Sequence, residues 1–217
     1  MPAVSSCKSG TDNRYRQIVS RRNHLLQRRA QPEQLAPWDA QLAESGAELI
    51  GRRRRAVAAL QTELQRIYPA LSGERHKVEI GYRSTVGEAT EPAALVAALE
   101  RRRAEEMRRG LTLVGPHRDD LAIELGGMDA RAFGSRGEQR RLALALRLAE
   151  VLPVTEAVGT APVLLLDDAL SELDGTVRDS VLREVQSAEQ VFLSSPEPLA
   201  VNGAARWIVE SGGVSAA

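Results

Sequence analysis

Apolar residues recur with helical spacing through the first half of the chain. Tyr15, Ile18, Val19, Leu25 and Leu26 share one side of a predicted helix from Tyr15 to about Arg29. Gln31-Pro32 and Ala36-Pro37 then break the pattern. A longer helix is predicted from Trp38 to Tyr68, with Leu42, Leu49, Ile50, Val57, Leu60, Leu64 and Ile67 on its apolar stripe and Pro69 closing it. Val78, Ile80 and Tyr82 alternate within Lys77–Tyr82, which reads as a strand. Thr90, Glu91 and Pro92 open another helix, with Leu95, Val96, Leu99 and Met107 facing inward and Gly110 ending it.

Beyond Gly110 the period changes. Leu121, Ile123 and Leu125 alternate, Gly126-Gly127 turns, and Ala130 to Phe133 reads as the returning strand of a hairpin. A helix follows from Gly137 to Leu152. The aliphatic run Val163 to Leu166 reads as a strand buried on both faces. A helix over Thr176 to Ser187 and strands at Gln190–Leu193 and Arg206–Val209 complete the chain. Strands alternating with helices predict an α/β lobe with a parallel sheet over 111–217. A mainly helical lobe is expected over 14–110, with a disordered tail at 1–13, which is small, polar and without period.

With aromatics at 3% of residues, the core must come from aliphatic side chains. The net charge is zero but unevenly spread. Residues 1–110 hold 20 Lys and Arg against 13 Asp and Glu, a net +7, and residues 111–217 carry the balancing −7. Such asymmetry fits a basic surface for a polyanion, and equally two halves that attract each other. Arg52, Arg53, Arg54 and Arg55 form a run in mid-helix. They point around the cylinder, so they read as a solvated surface or as phosphate contacts. Cys7 is the one cysteine, which excludes a disulfide framework within the chain and a Cys-rich zinc site. No signal peptide is visible and no apolar run approaches the roughly 20 residues a bilayer needs, so a cytoplasmic location without membrane contact is expected.

Three motifs carry chemistry. Pro162-Val163-Leu164-Leu165-Leu166-Asp167-Asp168 places two carboxylates at the C-terminal end of a strand, where open α/β sheets hold ligands. In nucleotide hydrolases this is the Walker B element: the first carboxylate organises Mg²⁺ and the second polarises the attacking water. The plainer alternative makes Asp168 the cap of the next turn and Asp167 merely exposed. Phe133-Gly134-Ser135-Arg136-Gly137-Glu138-Gln139-Arg140 stands before a helix rich in Leu and Ala. Ser135 and Glu138 read as a capping box. The same hydroxyl, glycine and free N–H groups also make an anion site. Ser171-Glu172-Leu173-Asp174 follows, with Asp174 a natural N-cap.

In order and spacing, SRGEQR, LLLDD and SELD resemble the signature, Walker B and D-loop of ABC-type ATPase heads. With GPHRDDL (Gly115 to Leu121) ahead of them and YRQIVSRRNHLLQ (Tyr15 to Gln27) upstream, the chain resembles the RecF family of DNA replication and repair proteins from about residue 15 onward. The resemblance is most specific over 111–175. It implies ATP and Mg²⁺ as cofactors. Ser135, Gly137 and Glu138 would contact the γ-phosphate of ATP on a partner subunit, Asp167 would organise the metal, and Asp168 would be the catalytic carboxylate. Ser171 and Asp174 would form the D-loop, and Arg52 to Arg55 are the candidate DNA contacts. It further implies single-stranded or gapped DNA, an ATP-dependent homodimer, recombination mediator proteins as partners, recombinase loading and a part in the SOS response. His117 and Arg118 belong to a family motif to which the sequence assigns no chemistry.

Two departures qualify the resemblance. No G-x-x-x-x-G-K-[ST] occurs in the sequence, and its only lysines are Lys8 and Lys77. The P-loop of the family precedes the helical lobe, so a truncated chain or one half of a split pair is expected, with a separate P-loop-bearing lobe as a partner. Such a chain should leave its sheet incomplete, with apolar surface exposed where that lobe packs. The second departure is at the switch position, where Ser194, Ser195 and Pro196 stand and ABC transporters use His. The alternative is a DNA-binding or interaction module without ATPase activity. The helical region is too short for the long coiled coils of SMC-type heads.

Overall fold

Helix α1 (Thr11–Gln27) buries Tyr15, Ile18, Arg22 and Leu26, one face at helical spacing. Helix α2 (Pro32–Ser72) is 41 residues long. The computed structural model describes residues 10–73, 76–171, 173–186, 188–199 and 201–217. Most of the predicted tail lies outside them, but the helix begins within its last residues, at Thr11. The predicted proline stops at Pro37 and Pro69 do not hold, since both lie inside α2. Each forfeits a single backbone bond near a helix end. Burial of Leu35 and Leu42 around the first, and of Tyr68 and Leu71 around the second, carries the helix through them. Gly73 ends α2 in the left-handed conformation (φ 67°).

Strand β1 (Val78–Arg83) leads to α3 (Pro92–Arg109), which opens on Pro92 and closes on Gly110 at φ 66°, as its sequence predicts. β1 pairs antiparallel with β2 (Asp120–Leu125), Ile80 opposite Ile123, and β3 (Met128–Asp129) completes that sheet. The expected hairpin return over Ala130–Phe133 is instead the short helix α4 (Ala130–Phe133). Asp129 causes this, because its carboxylate accepts from Arg131 N (2.9 Å) and Ala132 N (3.0 Å).

The predicted helix Gly137–Leu152 divides into α5 (Arg136–Ala149) and α6 (Val151–Val158), which meet at Glu150. Pro153 cannot donate to the Ala149 carbonyl, and that missing bond marks the junction. Strand β4 (Leu164–Leu166) pairs in parallel with β5 (Val191–Leu193) and with no other strand among the described residues. Helix α7 (Gly175–Val185) connects them. The hairpin of β6 (Trp207–Glu210) and β7 (Gly213–Ala216), whose second strand the pattern does not predict, is exposed throughout.

The apolar cores cut across the division by charge. Tyr15, Ile18, Leu42, Leu49 and Leu99 form one core, with Ile50 and Leu95 beside it. The C-terminal half of α2 supplies Leu64, Ile67, Tyr68 and Leu71 to a second core with α5, α7 and β4. Arg66 of α2 also reaches Glu184 of α7.

Arg22 is fully buried and ties the helical lobe together. It donates to Asp39 (2.7 Å), Glu106 (2.6 Å) and Thr112 Oγ1 (2.9 Å). Asn23 accepts from Thr112 N (2.7 Å), and the second Glu106 oxygen accepts from Leu113 N (2.7 Å). His117 and Arg118 extend this anchoring. Arg118 Nε donates to the Thr112 carbonyl (3.2 Å), and His117 bridges that carbonyl (3.1 Å) and the Tyr15 hydroxyl (2.7 Å). Its partners make Nε2 the protonated nitrogen. Desolvation pushes the His117 pKa down, which favours that neutral form.

Replacing Arg22 with Ala leaves Asp39 and Glu106 buried without this partner. Urea unfolding of Arg22→Ala is expected to show a loss of about 3–5 kcal/mol. A midpoint equal to wild type would refute this role.

Candidate nucleotide site

The acidic turn is built by strand pairing. Register places Leu164 and Leu166 with Val191 and Leu193 on the core side, which turns Leu165 and Phe192 outward. After Leu166 the chain is held by Ser194, whose N–H donates to the Leu166 carbonyl (3.0 Å). The Ser194 hydroxyl donates to Asp167 Oδ1 and accepts from Asp168 N (3.0 Å). Asp168 is left-handed at φ 49°, a conformation Asp tolerates better than most residues. Both carboxylates are exposed at the C-terminal end of the parallel pair.

The second group sits at the N-terminus of α5. Ser135 and Glu138 form the predicted capping box. Glu138 Oε2 accepts from Ser135 N (2.9 Å) and from the Ser135 hydroxyl (2.6 Å), while Ser135 Oγ accepts from Glu138 N (3.4 Å). These bonds to Ser135 lower the Glu138 pKa below the usual carboxylate range. Gly137 leaves the helix start open, since a Cβ there would meet only the end of Arg141 at 3.5 Å. Gly134 is the glycine that packing demands: a Cβ would fall 2.6 Å from the Ala130 carbonyl oxygen.

Arg140 joins the two groups. One turn along α5 from the cap, it donates to the Asp168 carbonyl (3.3 Å) and approaches the Ser171 hydroxyl (3.5 Å). Ser171 in turn donates to the Asp168 carbonyl (3.2 Å), and Asp174 caps α7 by accepting from Val177 N (3.0 Å). Glu172 lies outside the described residues. Gln139 braces the loop before α5, donating to the carbonyls of Ala130 (3.1 Å) and Gly134 (3.1 Å). Gln139, Arg140 and Ser194 are not marked as site residues by the local pattern. The first two stand inside the SRGEQR motif, which was the available signal. In sequence Ser194 shows only as a departure from histidine.

The arginine run is elsewhere. Arg53 donates to the Pro116 carbonyl, Arg54 to the carbonyls of Gly87 and Glu88, and Arg52 pairs with Glu48 on the same helix. Arg55 folds back along α2, 3.6 Å from where a Gly51 Cβ would stand. None of these partners belongs to the acidic turn or to the α5 cap.

A magnesium nucleotide fits these residues in part. Two exposed carboxylates suit a metal shell, and a helix N-terminus suits an anion. The glycine-rich backbone cradle and its lysine have no counterpart, and Lys77 is engaged with Glu79.

Beside the acidic turn lies a groove of about 640 Å³, lined by Leu144, Leu148, Val151, Val154 and Leu165 with Asp167 and Asp168 at its end. Its β4 wall is apolar and bare: Val163 is 49% exposed and Leu165 63%, with Phe192 beside it at 57%. The expected strand buried on both faces is therefore buried on one, and among the described residues β4 and β5 form a two-stranded sheet. Among the described residues no helix is long and apolar enough to cross a membrane.

A parallel strand pair ending in an acidic turn, a capped helix leaning on that turn and a helical lobe define an ABC-type ATPase head architecture. No family model matches the chain. It is 43% identical over 187 residues to the DNA replication and repair protein RecF of Herpetosiphon aurantiacus, covering 83% of the chain and 48% of that relative. Against RecF of Heliobacterium modesticaldum the identity is 40% over 192 residues, covering 84% of the chain and 52% of the relative. The solved structure of the recombination mediator protein RecF with ATP, in the RecFOR pathway, superposes with a TM-score of 0.80 at 29% identity, covering 95% of this chain and 57% of that one. The chain belongs to the RecF family and corresponds to its C-terminal portion. It spans about half the length of the curated relatives it matches.

Ser135→Ala removes the cap acceptor and a donor to Glu138. It should cost about 0.5–2 kcal/mol in urea unfolding. A carboxylate whose pKa is lowered on folding stabilises above its unfolded pKa, and that stability is lost as pH falls through the folded value. Stability of the wild type should therefore drop on acidification below the usual carboxylate range, and Ser135→Ala should flatten the drop. Identical pH profiles for both would contradict the coupling.

Proposed function

We propose that the chain supplies the signature, Walker B and D-loop portion of a RecF-type ATPase that works in DNA repair and replication. The observation that carries this reading is Arg140. It links the helix that begins at Ser135 to the carbonyl of Asp168 and the hydroxyl of Ser171, so the three motifs form one hydrogen-bonded unit. In this reading Mg²⁺-bound ATP, when present, supplies the phosphoryl group and the metal that neutralises its charge. Asp167 holds the metal's shell, and Asp168 orients and polarises the attacking water. Ser135, Gly137 and Glu138 present the α5 N-terminus to a γ-phosphate bound across a dimer interface, which requires the Ser135 hydroxyl to leave Glu138. Ser171 and Asp174 lie on the loop that meets the opposite subunit.

The phosphate cradle comes from a P-loop-bearing lobe that covers the outward face of β4. That face is apolar, exposed and continuous with the groove ending at Asp167 and Asp168. With that lobe, the assembly binds single-stranded or gapped DNA in an ATP-dependent manner in the cytoplasm, dimerises with ATP, and supports recombinase loading by recombination mediator proteins and the SOS response.

The 217-residue chain mixed with a separately made RecF P-loop lobe is expected to hydrolyse ATP, with gapped DNA present, where neither part alone does. Asp168→Asn suits the left-handed turn and should lower kcat about 10²–10⁴-fold. No turnover on mixing, together with DNA binding that ATP does not change, would leave a DNA-binding module without ATPase activity.

A further inference from the structure

Helix α1 carries a second feature that the nucleotide site does not use. Alongside its buried face of Tyr15, Ile18, Arg22 and Leu26 stand Arg14, Gln17, Arg21, His24 and, at its C-cap, Arg28, all exposed. Their spacing of three, four, three and four keeps them on one stripe. The three arginines are seven residues apart, so the stripe is about 21 Å long at 1.5 Å per residue. Among the described residues no carboxylate forms an ion pair with Arg14, Arg21 or Arg28. The acid of the helix's first turn, Asp12, is off the stripe and already paired with Arg16 at 2.8 Å. Arg21 lies over the Trp38 ring at 5.9 Å, which positions its guanidinium without neutralising it.

We infer that this stripe is a docking surface for the phosphate backbone of duplex DNA. The inference rests on the DNA-repair reading above and places the contact on α1 rather than on Arg52 to Arg55. Arg52, Arg53 and Arg54 of that run already serve Glu48, Pro116, Gly87 and Glu88. A protein partner would need an apolar or aromatic anchor at the centre of its contact. The stripe offers none, because Gln17 and His24 alternate with the arginines. Cations and hydrogen-bond donors repeating along about 21 Å match a charged lattice instead. That length is the rise of about six base pairs at 3.4 Å per phosphate along one strand. Such binding is independent of base sequence and strongly dependent on salt.

The test is fluorescence anisotropy of a labelled 30-base-pair duplex titrated with the 217-residue chain over a series of salt concentrations. Each phosphate contact contributes about 0.9 to the slope of log affinity against log salt. The triple variant Arg14→Gln, Arg21→Gln, Arg28→Gln should lower that slope by about 2.7, and Arg14→Gln alone by about 0.9. Glutamine keeps helix propensity at these exposed positions, and the single variant gives the reading even if the triple variant unfolds. Arg52→Gln with Arg55→Gln should leave the slope unchanged. A wild-type slope in the α1 variants, or a loss confined to the Arg52 and Arg55 pair, overturns the α1 surface while the DNA-repair reading stands. Absence of duplex binding by the wild type overturns the α1 surface and removes DNA contact from this chain.

Discussion

A single helix, α2, enters both apolar cores. The N-terminal half of α2 buries Leu35, Leu42, Leu49 and Ile50 against α1 and α3, and its C-terminal half buries Leu64, Ile67, Tyr68 and Leu71 against α5, α7 and β4. Large side chains of this kind contribute roughly 1.5–3 kcal/mol each when fully buried. Two interior prolines, each costing about one backbone bond, do not offset that gain. The buried Arg22 network then fixes the partners of the first half, and the Arg66–Glu184 pair adds a contact across the second.

The candidate site inherits its geometry from this arrangement. Packing of α5 against the end of α2 aims the capped helix start and Arg140 at the turn after β4. Parallel pairing with β5 brings Ser194 to the same turn, where one hydroxyl serves both Asp167 and Asp168. The site is thus ordered from behind, by the core, while its outward side stays bare. The exposed row of Val163, Leu165 and Phe192 is the counterpart of that ordering, and it is apolar surface of the kind that marks an interaction site.

What was legible in the sequence was local. The capping box at Ser135 and Glu138, the Asp174 cap, the glycine end of α3 and the acidic end of the aliphatic run all depend on neighbours within a few residues, and the structure places them as read. Tertiary effects leave no such local mark. Pro37 and Pro69 look like helix stops until the burial around them is known. Ala130–Phe133 looks like a strand until Asp129 caps it. The strand over Val163–Leu166 looks doubly buried because its composition suits a sheet covered on both faces, but only its core face is covered. Arg22 looks like any arginine of α1, since no pattern along the chain reveals that Asp39, Glu106 and Thr112 converge on it. Arg140 was written inside the motif, but its partners at Asp168 and Ser171 are 28 and 31 residues away.

In the proposed assembly the outward face of β4 and β5 is the seat of a P-loop lobe. Hydrogen exchange of the 217-residue chain, followed by mass spectrometry with and without that lobe, tests it most directly. Strong added protection is expected at Val163–Leu166 and Val191–Leu193, with little change in α1 and α3. Unchanged exchange in β4 and β5 at lobe concentrations that saturate binding would contradict it.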